Sequence, residues 1–295
     1  MIDFVKIYYR EKDIFENHVL NEDNFPDLDA VLSYHTGDIK YPYTTKLDTM
    51  RVQVSEKTGY VKNSLHKLRN YLKSGEEHNY NDYSYSEICN TIDYLASNII
   101  DVNITRLSQL EFGLNITVNR IPEHLVKRNF LMHGYKRGVE KTFQRPGLLK
   151  EFIHSNYLIK VYDKGQQYGL DENILRFELK FIKAIEFNSL GIFNLSNLKN
   201  KSALRKLFLK LVKRFDEITI VDDFDSDTID VDDYNSIMKY TNDIFWTEEL
   251  KDKHPMVRLR HREQFHDLLV KNNLLCTKSY LRELLYKKFF HLINQ

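Results

Sequence analysis

The stretch 157–164 reads Tyr-Leu-Ile-Lys-Val-Tyr-Asp-Lys, and Lys160, Tyr162 and Lys164 occupy alternate positions in it. A phenol titrates near pH 10 and is mostly protonated at neutral pH, so it needs help to act as a nucleophile. Ammonium groups on its own face favour the phenolate. Two carboxylates stand in comparable surroundings: Glu111 in Leu-Glu-Phe-Gly-Leu-Asn-Ile (110–116) and Glu178 in Ile-Leu-Arg-Phe-Glu-Leu-Lys-Phe (174–181). If the chain binds a metal, Glu111 and Glu178 are the first candidates, with Asn115 or Asp163 assisting. Such oxygen donors select Mg²⁺ or Mn²⁺ rather than zinc. Tyr162 is the candidate nucleophile, with Lys164 and Asp163 beside it.

The elements that must position these groups are strands. All three stretches alternate apolar and polar residues, the period of a half-buried strand. Ile159 and Val161, Leu175, Phe177 and Leu179, and Leu110, Phe112, Leu114 and Ile116 face a core. Lys160, Tyr162, Lys164, Arg176, Glu178, Lys180, Glu111, Gly113 and Asn115 face the other way. Residues 165–173 read as a loop joining 157–164 to 174–181 as an antiparallel pair. Asp163 alternates out of phase with Tyr162 and falls on the opposite face. Gly113 in mid-strand marks a close approach by another backbone or a ligand. The plainer reading of a polar strand face is a solvent surface.

Composition narrows the field. The chain has 295 residues, 43 Lys plus Arg against 42 Asp plus Glu, 19 Tyr and 18 Phe. This is an ordered globular composition of one large or two small domains. A net charge near zero means that any nucleic-acid surface is local. Lys67, Arg69 and Lys73 on a helical stretch, with Lys160, Lys164 and Arg176, are the candidate DNA contacts. The two cysteines, Cys89 and Cys276, form no disulfide framework or zinc motif. No membrane-spanning run or signal pattern is present, so a cytoplasmic protein is expected. A Walker loop, a dinucleotide fingerprint, a nucleophile elbow and a His-x-His pair are all missing.

The order of elements predicts an α+β fold with a mostly antiparallel sheet. Strands are expected at 2–9, 30–34, 49–54, 60–63 and 107–118, and helices at 86–99 and 201–216. Two strand-rich halves, about 1–105 and 106–220, each lead into a helix, which suggests a weak internal duplication. The run 222–233 carries seven aspartates. It fails as a calcium loop because Thr228 stands where Gly belongs and Tyr234 where Glu should close the site. Residues 221–295 therefore read as an acidic linker and a helical C-terminal region with a basic edge at 258–262.

The motifs at 157–164 and 175–179 resemble the paired signature of rolling-circle replication initiators, the family of small Gram-positive plasmid initiators and the gene II replication protein of filamentous phages. Ser64-Leu65-His66-Lys67, His78-Asn79 and 110–115 are similar to the phage-type members. The resemblance spans about residues 50 to 200. It implies a tyrosine that attacks a DNA phosphodiester, stays joined to the 5′ phosphate and frees a 3′-hydroxyl. Acidic residues hold a metal. By position Tyr162 takes the nucleophile role, Glu111 and Glu178 the metal role and Asp163 a supporting role. The implied partners are single-stranded or supercoiled origin DNA and the host helicase and polymerase. The alternative is a non-catalytic DNA-binding or replicon-control protein on the same fold, and a third reading is a plain interaction module. The first two differ in whether the carboxylates converge near a tyrosine.

Overall fold

The structure, a computed structural model, describes residues 1–99, 101–142 and 147–295. The first half comprises β1 (Ile2–Tyr9), α1 (Lys12–Leu20), β2 (Asp29–Leu32), β3 (Ile39–Leu47), β4 (Met50–Val54), β5 (Gly59–Ser64), α2 (Leu65–Ser74) and α3 (Tyr85–Asn98). The second begins with β6 (Arg106–Thr117), the single turn α4 (Pro122–His124), β7 (Phe130–His133), β8 (Lys136–Arg137), β9 (Val139–Thr142) and β10 (Leu148–Ile153). It continues with β11 (Tyr157–Asp163), α5 (Lys164–Tyr168), β12 (Ile174–Phe181), α6 (Ile185–Asn188), α7 (Lys201–Asp216) and β13 (Ile218–Ile220). Helices α8 (Val231–Thr241), α9 (Pro255–Lys271) and α10 (Cys276–Asn294) end the chain.

Ten strands form one antiparallel sheet in the order β2-β3-β4-β5-β1-β6-β12-β11-β10-β9, and β13-β7-β8 form a small second sheet. The first strand of each half lies at the centre, β1 with β5 beside it and β6 with β12 beside it. The alternation seen in the sequence sorts the two faces. Val5, Ile7, Leu110, Phe112, Ile159, Val161, Phe177 and Leu179 are buried in the main core. Against them pack α3 through Ile88, Ile92 and Leu95, α7 through Leu207, Leu211 and Phe215, and α10 through Leu281, Leu285 and Phe289. Phe177 meets Phe215 edge-on at 5.4 Å, and Phe208 stacks on Phe289 at 4.0 Å. Burying one such ring contributes about 1.5–3 kcal/mol. Ser84 starts α3 with a capping box closed by Glu87.

Several elements differ from expectation. The stretch 165–173 is not wholly loop: Asp163 ends β11 and caps α5, its carboxylate accepting from Gln166 N–H at 2.8 Å, so Lys164 begins a helical turn instead of prolonging the strand. Strand β3 and helix α1 were not anticipated, because β3 is mixed in polarity and contains Pro42. The C-terminal helices divide. Helices α8 and α9 share a second core with Tyr240, Trp246 and Phe265, while α10 belongs to the main core. The acidic run does more than link. Asp222 accepts from the N–H groups of Cys276 and Thr277 at 2.8 and 3.0 Å, and Asp230 caps α8. A carboxylate at a helix N-terminus satisfies orphan donors and complements the helix dipole.

Asp222→Ala is therefore expected to destabilise the protein by about 1–2 kcal/mol, read as a lower unfolding midpoint. Asp227→Ala, on an exposed turn, should stay within about 0.5 kcal/mol of the parent. Equal midpoints for the two variants would remove the capping role.

Candidate active site

Strands β6, β12 and β11 lie side by side, and their register brings the polar residues into contact. Glu178 pairs with Gly113 on one side and Lys160 on the other. Arg176 pairs with Asn115 and with Tyr162. Gly113 is required here: a Cβ at this position would lie 2.8 Å from Phe177 O and 3.0 Å from Glu178 Cα, both backbone atoms. The close approach expected from the sequence is thus the backbone that carries Glu178.

A third carboxylate joins them. Asp3, Glu111 and Glu178 are all buried and each offers an oxygen within 4.8 Å of the others. The Arg176 guanidinium lies at the centre. It donates from Nε to Glu178 Oε2 (2.7 Å), from Nη1 to Asn115 Oδ1 (2.9 Å) and from Nη2 to Asp3 Oδ2 (2.9 Å). Lys160 Nζ donates to Glu178 at 2.8 Å and to Glu111 at 3.2 Å, and Lys180 pairs with Glu111 at 2.8 Å. Three carboxylates thus face three cations, the balance that buried charge requires.

The segment between α2 and α3 packs over this cluster. Asn79 Nδ2 donates to Asp3 Oδ2 at 2.7 Å, and Ser64 Oγ donates to the other Asp3 oxygen. Asn115 Nδ2 holds the carbonyls of Asn79 and Tyr80 at 3.0 and 2.9 Å. On α2, His66 donates to Asn81 Oδ1 at 2.7 Å and Asn70 donates to the same oxygen at 2.9 Å. Tyr168 Oη donates to Asn79 Oδ1 at 2.8 Å, and its ring meets Tyr80 edge-on at 5.2 Å. Lys164 Nζ lies 3.5 Å from Tyr162 Oη and sits 5.3 and 5.0 Å from the Tyr162 and Tyr168 ring centres.

The two glutamates are driven apart electrostatically. Burial, with the Glu178 charge second, pushes Glu111 up to about 7. Burial acts on Glu178 too, but Lys160 and Arg176 outweigh it and hold it well below the usual carboxylate range. Burial raises the Tyr162 phenol well above its ordinary value, and the Glu178 charge adds to this. Burial, then the nearby Arg176 charge, brings Lys164 down to about 7.

The residues singled out from the sequence are distributed unevenly. Glu111, Glu178, Asn115, Lys160, Arg176, Tyr162 and Lys164 are brought together. Arg176 and Lys160, expected as DNA contacts, are tied to carboxylates instead, and Arg176 is only 2% exposed. Asn115, expected as a metal ligand, gives its oxygen to Arg176. Asp163 faces away from Tyr162 and caps a helix. Arg69 pairs with Glu87, Lys67 is half-buried, and Lys73 is exposed at the end of α2. Asp3 and Asn79 were missed as site residues. The one carboxylate in the strand Ile2–Tyr9 was the signal for Asp3. Asn79 stands in a polar loop, where the family resemblance of His78-Asn79 marked it without assigning it a role.

The donor set fits a hard divalent cation: three carboxylates with mutually close oxygens, and no nitrogen or sulfur among them. Asp3, Glu111 and Glu178 are the residues that would hold it. A cavity of about 740 Å³ lies elsewhere, lined by Lys127, Arg128, Met132, Asp222, Asp223 and Met238 among others. It mixes both charges and gathers no converging donors.

No family model and no curated protein sequence matches the chain. A solved structure, a rolling-circle replication initiator protein from Geobacillus stearothermophilus, aligns at 12% identity with a TM-score of 0.40, over 77% of this chain and 88% of that one. At that identity and score nothing about the site is transferred from it. Among the described residues no helix is long and apolar enough to cross a membrane.

A carboxyl raised on folding contributes stability below its unfolded pKa of about 4.3, and that stability is lost as pH rises through the folded value. In the metal-free protein, Glu111→Gln is therefore expected to raise the unfolding midpoint above about pH 8 and leave it nearly unchanged near pH 4. A lower midpoint at the alkaline end would mean that the Lys160 and Lys180 pairs outweigh burial.

Proposed function

We propose that the protein is a rolling-circle replication initiator, acting through residues 1–220 to nick and rejoin single-stranded origin DNA. The observation that carries this reading is the convergence of Asp3, Glu111 and Glu178 on one sheet face that also holds Tyr162, with Lys164 beside the phenol at the start of α5. A module that only binds DNA has no need of three carboxylates with mutually close oxygens beside a phenol. This favours the catalytic reading over the replicon-control one.

In the proposed reaction Tyr162 Oη attacks the scissile phosphorus. The phenolic proton passes to Lys164, whose neutral amine is available because burial lowers its pKa to about 7. The bond to the 3′ oxygen breaks, that oxygen takes a proton from solvent and leaves as a hydroxyl, the proton on Lys164 returns to solvent, and the 5′ phosphate remains on the tyrosine. Joining runs the same steps in reverse, so the bond energy is conserved in the covalent intermediate. A Mg²⁺ or Mn²⁺ ion held by the carboxylates would polarise the phosphate oxygens. Arg176 keeps Asp3 and Glu178 oriented, and Lys160 bridges Glu178 and Glu111. Tyr162 is 5% exposed, so the residues that cover it must move for a strand to reach it.

The test is incubation with single-stranded DNA from the replicon and Mn²⁺, read on a denaturing gel and by mass spectrometry. A 5′ adduct on Tyr162 is expected, lost in Tyr162→Phe and in Glu178→Gln while both variants remain folded. An adduct on Tyr168 would move the nucleophile and keep the chemistry; no adduct on any tyrosine would remove the mechanism. EDTA should stop cleavage, and activity unaffected by it would exclude the metal.

A second expectation concerns pH. Because Lys164 must be neutral to accept the proton, the cleavage rate should climb as pH rises through about 7. In Lys164→Ala that limb should disappear and the residual rate should be at least about 10²-fold lower. The same limb surviving in the alanine variant would assign it to another group.

A further inference from the structure

The register of the first half assembles something that no single stretch of sequence displays. Lys46 on β3 pairs with Arg51 on β4, Arg51 with Lys62 on β5, and Lys62 with Lys6 on β1. Four cations thus stand in one row, directly opposite one another across four strands. Lys46 and Arg51 are exposed, and Lys62 and Lys6 are half-buried. None of the four makes an ion pair among the described residues. Like charges directly opposite in a sheet destabilise it, and a face that served only for solvation would mix the signs.

The row has aromatic neighbours on the same face. Tyr60 pairs with Tyr8 in the adjacent register position, and Lys6 and Lys62 lie 4.2 and 5.3 Å from the Tyr60 ring centre. Phe4 follows Lys6 by alternation, and Lys180 lies 5.1 Å over its ring while pairing with Glu111. The row therefore runs on to the carboxylate cluster. With strands about 4.8 Å apart, four cations span roughly 14 Å. A basic track flanked by aromatic rings is the arrangement with which proteins follow a single strand without reading its sequence: the cations meet phosphates and the rings meet bases.

We propose that the outer face of β3, β4, β5 and β1 is a track for the backbone of a single-stranded polynucleotide, with Lys46, Arg51, Lys62 and Lys6 as its phosphate contacts, delivering the strand to the carboxylate site. The direction of delivery rests on the cleavage reading; the track itself does not. The chain as a whole is almost neutral, so this concentration of unpaired cations is a local feature that calls for an anionic partner.

The test uses the full chain carrying Tyr162→Phe, so that binding is read without cleavage, and a short labelled oligodeoxythymidylate followed by fluorescence anisotropy across a salt series. Replacing Lys6, Arg51 and Lys62 together with Gln is expected to weaken binding roughly tenfold or more and to lower the salt slope by about 2, the share of three phosphate contacts on a single strand. The unfolding midpoint should stay level or rise, because repulsion is removed; a purely structural role would lower it. If the triple variant fails to fold, Arg51→Gln alone, at an exposed and unpaired position, should still lower the slope by about 0.7. Unchanged affinity and slope, a parent that does not bind the oligonucleotide, or an equal loss with duplex of the same length at higher affinity would each overturn the proposal. Loss of binding without any covalent adduct in the Tyr162 parent would leave the track standing and remove the cleavage reading instead.

Discussion

The Arg176 guanidinium is the interaction on which the rest of the site depends. Its three donating nitrogens reach Glu178 on its own strand, Asn115 on β6 and Asp3 on β1. Those residues come from both halves of the chain and from its first strand. A planar group with fixed donor directions is suited to this in a way that an ammonium is not. Asn115, held by Arg176 through its oxygen, turns its amide nitrogen to the Asn79 and Tyr80 carbonyls. Asp3 in turn anchors Asn79. One buried cation therefore sets the positions of two carboxylates and of the segment that covers them. Removing it would leave Asp3 and Glu178 buried without their shared counter-charge, a loss of about 3–5 kcal/mol.

Charge balance then separates the roles of the carboxylates. Glu178 has both Arg176 and Lys160 and stays ionised; Glu111 pairs with Lys160 and Lys180 but has to compete with burial and the Glu178 charge. The same burial that depresses Lys164 raises Tyr162. Desolvation thus produces a weakly acidic phenol next to an unusually acidic ammonium, so the free amine is available near neutral pH while the phenol releases its proton only as its oxygen begins to bond elsewhere. Neither group would have these properties on an open strand face.

Much of the site was legible because β6, β11 and β12 alternate cleanly, and alternation fixes which side chains share a face. It placed Glu111, Asn115, Tyr162 and Glu178 together. Alternation does not say which strands are neighbours, nor what covers a polar face. Arg176 and Lys160 therefore read as surface cations when they are counter-ions inside a cluster. Asp3 stayed hidden because its role depends on pairing with a segment more than a hundred residues away. Asn79 is defined by Asp3 and Tyr168, both remote in sequence. Strand β3 escaped notice because its residues are mostly exposed and its polarity does not alternate until Tyr43. With β3 unseen, the cation row could not be read either.

The strand order runs outward from the centre in the same way in both halves, β1-β5-β4-β3 and β6-β12-β11-β10, yet the chemistry is unequal. On the same face, the second half carries Glu111, Glu178 and Tyr162 with their counter-ions, and the first carries unpaired cations and aromatic rings. The two fields meet where β1 pairs with β6, which is also where Asp3 crosses from one half to the other. A sheet that continues across this join gives a polyanion an unbroken surface, with attraction on one side and a balanced, covered cluster on the other. An anionic strand approaching the cluster alone would meet three carboxylates; approaching along the cations, it arrives already neutralised in part. The position of the cations across the join from the carboxylates would thus let a nearly neutral chain bring phosphate to an acidic site, as the proposed track requires.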